Sequence, residues 1–234
     1  MVDEVYRKLQ MHDLSISFVI QSERTDIYDE YKKQIDLLRQ PLSFDKLRTI
    51  QATFNKRIIE VIVGDITMQR VDVTIGISSL GFLTDAIIKA AGEKIQKVYD
   101  NELENHPNSV LIATPSGALL CKQIFFVKWD SDPDEEILRQ SLVDLMYTVV
   151  QNVKSHNFTS IAFLAIGCEK HGCSINIVVK TMVLEMKRHL ITRNLSWTMK
   201  FVVEPDQENI YDEFSKQVLT TQDGKTKVFS INEI

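Results

Sequence analysis

The stretch 63-VGDITMQRVDVTIGISS-79 carries two strand ends and the turn between them. Its first half closes an apolar run, RIIEVIVG (57–64), with a Gly-Asp turn. Its second half, VDVTIGI (71–77), is a second β-branched run that passes directly into Ile-Ser-Ser. Two such runs separated by a short polar turn read as consecutive strands with a loop at the tip of the second. Whatever the fold does chemically, a Gly-Asp turn at a strand tip is a place where it could do it.

Outward from this stretch the pattern alternates. Further strand-like runs are TIQATF (49–54), SVLIATP (109–115), KQIFFVKW (122–129), SIAFLAI (160–166), WTMKFVV (197–203) and TKVFSI (225–230), with SISFVI (15–20) near the start. Between them lie segments of helical period. Leu138, Leu142, Leu145, Met146, Val149 and Val153 form one stripe, behind Pro133 and the acidic Asp134, Glu135 and Glu136 that suit a helix N-terminus. Ile175, Val178, Val179, Met182, Met186 and Leu190 form another. A methionine-rich stripe at this spacing is core packing. Strands alternating with helices predict a layered α/β protein.

Composition narrows the function classes. The 234 residues suffice for one sizeable core and an appendage. A net charge of −5, with no basic-aromatic stripe, argues against general nucleic-acid binding. No apolar run approaches the roughly 18 residues of a membrane span, and MVDEVYRKLQ does not read as a signal peptide. Three cysteines, an odd and small number, fit a reducing compartment, so an intracellular location, cytoplasmic or nuclear, is expected. Cys168, His171 and Cys173 crowd one segment, CEKHGC, but match no standard zinc spacing, and no metal site is expected.

One repeat stands out. ISFVIQSERTDIYDEYKKQI (16–35) and MKFVVEPDQENIYDEFSKQV (199–218) align without gaps at an offset of 183 residues. That offset is a domain length. Residues 1–40 therefore read as a strand–helix appendage equivalent to the tail of a preceding copy, and residues 41–234 as one complete copy.

The ordered set GDIT, VDV, AIIKAAGEKI, ATPSGALLCKQIFFVKW and TSIAFLAIGCEKHG, over roughly residues 50–220, resembles the macro domain, an ADP-ribose-binding module, which implies an α/β fold of three layers, α/β/α, around a mixed central sheet. The closing strand and IYDEF helix look most like macro domains strung in tandem in multi-domain poly(ADP-ribose) polymerases, which would account for the repeat. The resemblance implies that Asp65 accepts a hydrogen bond from the adenine amino group and that the backbone N–H of Ile66 supports the ring. A carboxylate accepts only, so it selects an exocyclic amine over a carbonyl at that edge. Read without the resemblance, Asp65 caps its own turn.

Measured against the family, the rest of the site is depleted. An Asn-Ala-Ala-Asn segment is replaced by Gly76, Ile77, Ser78 and Ser79, and the glycine-rich phosphate loop is shortened to Leu80, Gly81, Phe82 and Leu83. Without successive glycines the backbone N–H groups do not easily form an anion nest. The second phosphate loop corresponds to Gly167, Cys168 and Glu169, followed by Lys170, His171 and Gly172. Glu169 sets a negative charge where a diphosphate would lie; like charges about 4 Å apart repel by about 4 kcal/mol at an effective dielectric constant near 20. Glu204 stands where relatives often place an aromatic over the adenine.

The resemblance also implies that hydrolysis of ADP-ribosyl groups depends on the missing asparagine and glycine segment, and no other nucleophile–base set offers a substitute. The expectation is a non-catalytic domain with no resident cofactor that recognises ADP-ribose or ADP-ribosylated protein with weakened affinity. The candidate ligand-binding residues are those named above at positions 65, 66, 76, 78, 167–172 and 204. The competing expectation is a degenerate domain serving as a scaffold or protein-interaction module, among neighbouring domains of a larger chain, that binds no nucleotide.

Overall fold

A computed structural model describes residues 48–78, 81–164, 174–220 and 227–231 of the chain. The expected N-terminal appendage, residues 1–40, lies outside the described residues. Among the described residues eight strands form one sheet: β1 (Thr49–Phe54), β2 (Arg57–Val63), β3 (Val73–Ile77), β4 (Leu111–Pro115), β5 (Gln123–Val127), β6 (Ser160–Leu164), β7 (Thr198–Val203) and β8 (Lys227–Ile231). Their order is β4-β5-β3-β6-β7-β2-β1-β8. The five inner strands, β5-β3-β6-β7-β2, run parallel, while β4, β1 and β8 pair antiparallel with their neighbours. The sheet is mixed, as the resemblance to the macro domain implies.

Strand periodicity sorts the core into two layers, because alternate side chains point to opposite faces. On one face Val73, Ile75, Phe125, Phe163, Met199 and Phe201 pack under α3 (Glu135–Ser155), α4 (Ile175–Thr192) and α5 (Glu208–Leu219). On the other, Ile124, Phe126, Ala162 and Val202 pack under α1 (Gly81–Ala91) and α2 (Glu93–Asn105). All six stripe residues of α3 are buried, and so are all those of α4 except the half-buried Ile175. At the head of α3, Asp134 accepts the backbone N–H groups of Glu136 and Ile137, the capping its acidic first turn predicts.

Two boundaries differ from expectation. The run ending AIIKAAG is followed by a second helix, α2, which its weak apolar pattern hides. Gly92, with φ of 102°, turns the chain between the two, a conformation that favours glycine. The segment expected as a shortened loop is also mostly helix: α1 begins at Gly81, so Gly81, Phe82 and Leu83 form its first turn. The Thr84 hydroxyl donates to the carbonyl of Ile77 at 2.9 Å, tying that turn to the end of β3.

Candidate functional site

The topology itself marks a site. From β3 the chain leaves toward β4 and β5; from its neighbour β6 it leaves the other way, toward β7. Adjacent parallel strands whose connections diverge open a crevice at their carboxyl ends, the usual ligand position in such sheets. The tips of β2, β3, β6 and β7 meet along this rim.

The Gly-Asp turn lies on it. Val63 of β2 pairs with Val203 of β7, and the N–H of Gly64 donates to the carbonyl of Val203 at 2.9 Å. Asp65 then caps a single 3-10 turn, Ile66–Met68. Its Oδ1 accepts both the backbone N–H of Thr67 at 2.7 Å and the Thr67 hydroxyl at 2.8 Å. Ile66 is buried in the smaller core layer with Leu164 and Val202, which pins the turn over the ends of β6 and β7. The exposed carboxylate therefore has a fixed direction. Among the described residues its Oδ2 has no hydrogen-bond partner.

Gly76 and Ser78 sit at the end of β3. A Cβ on Gly76 would fall 2.8 Å from Phe126 Cδ1 and 3.3 Å from Ile87 Cδ1, so the absent side chain makes room for the Phe126 ring beneath α1. Phe126 in turn meets Tyr99 edge-on at 4.7 Å between centroids. The backbone N–H of Ser78 donates to the carbonyl of Val127 at 3.0 Å, and its hydroxyl donates to the same carbonyl at 3.4 Å. Burial pushes the Tyr99 phenol above its ordinary pKa, helped by Asp100, with Ser78 opposing.

Glu204 follows β7 directly and is half-buried. Its Oε2 accepts the side-chain N–H of Gln207 at 3.2 Å, and its carbonyl accepts the backbone N–H of Gln207 at 3.1 Å. Gln207, the residue before α5, is 8% exposed, and among the described residues its buried Oε1 has no hydrogen-bond partner. Glu208 pairs with Arg48 at 2.8 Å. Asp65, Ile66, Gly76, Ser78 and Glu204 thus all lie at the carboxyl ends of β2, β3 and β7, spread along one rim of the sheet. Gly167, Cys168, Glu169, Lys170, His171 and Gly172, and the neighbouring Ser79 and Leu80, lie outside the described residues.

Three participants carry no clear sequence signal. Thr67 is legible only as the third residue of an Asp-x-Thr turn. Tyr99 lies on a helix the apolar pattern conceals, and Gln207 lies in a polar turn. Among the described residues no group of three or more His, Cys, Asp or Glu side chains could hold a metal, and no helix is long and apolar enough to cross a membrane.

Comparison with known proteins agrees with this architecture. Residues 79–182 match the family model described as the Macro domain. No curated protein matches the chain in sequence. Among solved structures, the Oceanobacillus iheyensis macrodomain with ADP superposes with a TM-score of 0.65 at 21% identity, covering 73% of this chain and 94% of that one. The macro domain of ganglioside induced differentiation associated protein 2 gives 0.59 at 16% identity, covering 68% and 83%. The Trypanosoma brucei macrodomain in complex with ADP gives 0.58 at 15%, covering 68% of each chain. The sheet order, the layers and the family match agree: the chain has the macro-domain fold, and residues 79–182 carry the Macro domain signature.

Proposed function

We propose that this domain is a non-catalytic reader of the adenosine portion of ADP-ribose or of ADP-ribosylated protein. The observation that carries this reading is Asp65. Its turn is pinned at the rim where similar folds place ligands, its local bonds use Oδ1, and Oδ2 remains as an acceptor for an adenine amine. Two of the similar structures hold ADP. No resident cofactor enters this reading; ADP-ribose is the ligand.

The phosphate and distal-ribose end is the weakened part of the proposal. Helix α1 starts at Gly81, three residues after Ser78, too soon for a glycine-rich loop. Glu169 adds charge in the second loop. Gly76 and Ser78 offer packing and one hydroxyl where hydrolases of the resembled family hold ribose and water, so no group orients a nucleophile. We place the domain in an intracellular chain, cytoplasmic or nuclear, beside further domains of the kind found in tandem in poly(ADP-ribose) polymerases.

The alternative, a scaffold that binds no nucleotide, draws on Gly76: the family's ribose-binding segment has become packing for Phe126 here. Calorimetric titration with ADP-ribose and AMP separates the two. A reader of adenosine binds both weakly and with similar affinity. Heat from neither leaves the scaffold, and submicromolar ADP-ribose binding with AMP far weaker would overturn the account of the loops. Incubation with a mono-ADP-ribosylated carrier should release no ADP-ribose above the no-protein blank.

A further inference from the structure

Thr67 does more in the Gly-Asp turn than the turn requires. An aspartate that caps a short turn needs one partner, a backbone N–H two residues on. Asp65 has that bond, from the Thr67 N–H to Oδ1 at 2.7 Å. The Thr67 hydroxyl then donates to the same Oδ1 at 2.8 Å, although the backbone of the turn gains nothing from it. Thr67 is 8% exposed, so little water competes for that hydroxyl. Two heavy atoms on its Cβ also make the side chain stiff. Oδ1 is thus met by a second donor that is itself held in place.

The consequence falls on the other oxygen. The Asp65 main chain is fixed as well, since its carbonyl accepts the Met68 N–H at 3.2 Å and the Gln69 side-chain N–H at 3.0 Å. An aspartate carboxylate otherwise turns broadly about its last torsion, and its two oxygens exchange places. Here that rotation would break two bonds together. Oδ1 therefore belongs to the turn, and Oδ2 is the acceptor left over. We propose that Thr67 is a positioning residue for the adenosine site, its hydroxyl locking the Asp65 carboxylate so that Oδ2 is ready for the 6-amine of a purine. This deepens the adenosine-reading proposal and rests on it. An acceptor ordered in advance spares the ligand the cost of ordering it. Only a purine that donates at position 6 benefits; a 6-oxo purine offers a carbonyl there and gains nothing. Thr67 acts on the choice between purines, not on affinity for nucleotides in general.

The test measures AMP and IMP binding by calorimetry on the full chain and on Thr67→Val, Thr67→Ser and Thr67→Ala. The unsubstituted chain should prefer AMP by about tenfold, the worth of one hydrogen bond to a charged acceptor. Thr67→Val keeps the shape and loses the hydroxyl. It should weaken AMP by about fivefold, the cost of ordering one side chain on binding, and leave IMP unchanged. Thr67→Ser keeps the hydroxyl and should retain the AMP-to-IMP ratio, while Thr67→Ala should lose it. The serine–alanine pair repeats the comparison if the valine variant does not fold. An unchanged ratio in the variants without a hydroxyl overturns the role of Thr67. So does an equal loss of AMP and IMP, which would make Thr67 a support of the turn and nothing more, and so does a ratio lost in Thr67→Ser. The unsubstituted chain tests the parent reading separately: binding of neither nucleotide, or equal binding of both, overturns the adenosine reading and the role of Thr67 with it.

Discussion

Asp65 and Asp72 belong to one stretch, each at a strand end, and the fold uses them in opposite ways. Asp72 precedes β3 at the amino-terminal rim of the sheet. Its Oδ2 accepts the backbone N–H groups of Thr159 and Ser160 at 2.7 and 3.0 Å, and its Oδ1 meets Lys122 Nζ at 2.7 Å. Its own N–H donates to Ser160 Oγ, and its carbonyl accepts from Lys122 and Gln123. One residue therefore clamps the starts of β3, β5 and β6. Asp65 stands exposed at the opposite rim, and among the described residues its carboxylate bonds only Thr67, within its own turn. A carboxylate whose oxygens are consumed by distant backbone is structural. One with a single oxygen engaged locally is oriented and still available.

The difference shows most strongly in stability. Asp72→Asn keeps the shape but turns an NH2 toward backbone donors or toward the Lys122 ammonium. Charge-assisted bonds to a nearly buried group are lost, and unfolding in urea should show a destabilisation of about 3 kcal/mol. Acid should reveal the same clamp. Burial pushes the Asp72 carboxyl up, but the Lys122 bond, the Thr159 and Ser160 bonds and the Lys122 charge outweigh it, leaving a pKa of about 2 against an ordinary 3.8. A carboxyl depressed in the folded state contributes stability above its unfolded pKa and loses it as pH falls through the folded one. The contribution, roughly 2 kcal/mol at neutral pH, should fade between about pH 4 and pH 2. Over that window the gap between the unsubstituted chain and Asp72→Asn should narrow. A constant gap would remove the clamp from the comparison.

Why the two aspartates look alike in sequence bears on what was legible. The strands stand out because β-branched runs bounded by turn residues need only local information; every expected strand among the described residues is present, with ends shifted by a residue or two. Helices α3 and α4 announce themselves through their stripes. Helix α2 does not, since Ile95 and Tyr99 are its only buried side chains. At the rim, the Gly-Asp turn is legible from its own residues. The clamp of Asp72 is not, because Thr159 and Ser160 join it only when the sheet closes. Gln207 is hidden for the same reason: nothing in Pro-Asp-Gln-Glu distinguishes a buried amide from an exposed one. Gly76 reads equally well as a place for ligand or for a ring until Phe126 is seen against it.

Gly76 gives the next effect in size. Alanine there places a Cβ 2.8 Å from the buried Phe126 ring, which Tyr99 backs on its edge, so the ring has little room to yield. Overpacking of this kind should cost about 2 kcal/mol in unfolding experiments. If Gly76 serves packing, AMP affinity measured well below the melting temperature should hardly change. A loss of affinity with unaltered stability would return Gly76 to the ligand site and place both halves of the quoted stretch in the crevice.

Asp65→Ala has the smallest expected effect on stability and the largest on binding, which is what an available carboxylate requires. Its two bonds cap a 3-10 turn of three residues, and loss of such a cap costs about 1 kcal/mol. The turn should survive this loss, because the Gly64–Val203 hydrogen bond and buried Ile66 hold it independently of the carboxylate. Asp65→Asn sharpens the point. An asparagine carbonyl can still accept from Thr67, so stability should stay nearer the unsubstituted level, but the remaining NH2 would face the adenine amine donor to donor. AMP binding should therefore drop about tenfold or more in Asp65→Asn while its melting temperature hardly moves. The decisive measurement is the ratio of the two changes. If Asp65→Asn keeps full AMP affinity, Asp65 is a turn cap like any other, and the contrast with Asp72 becomes one of burial alone.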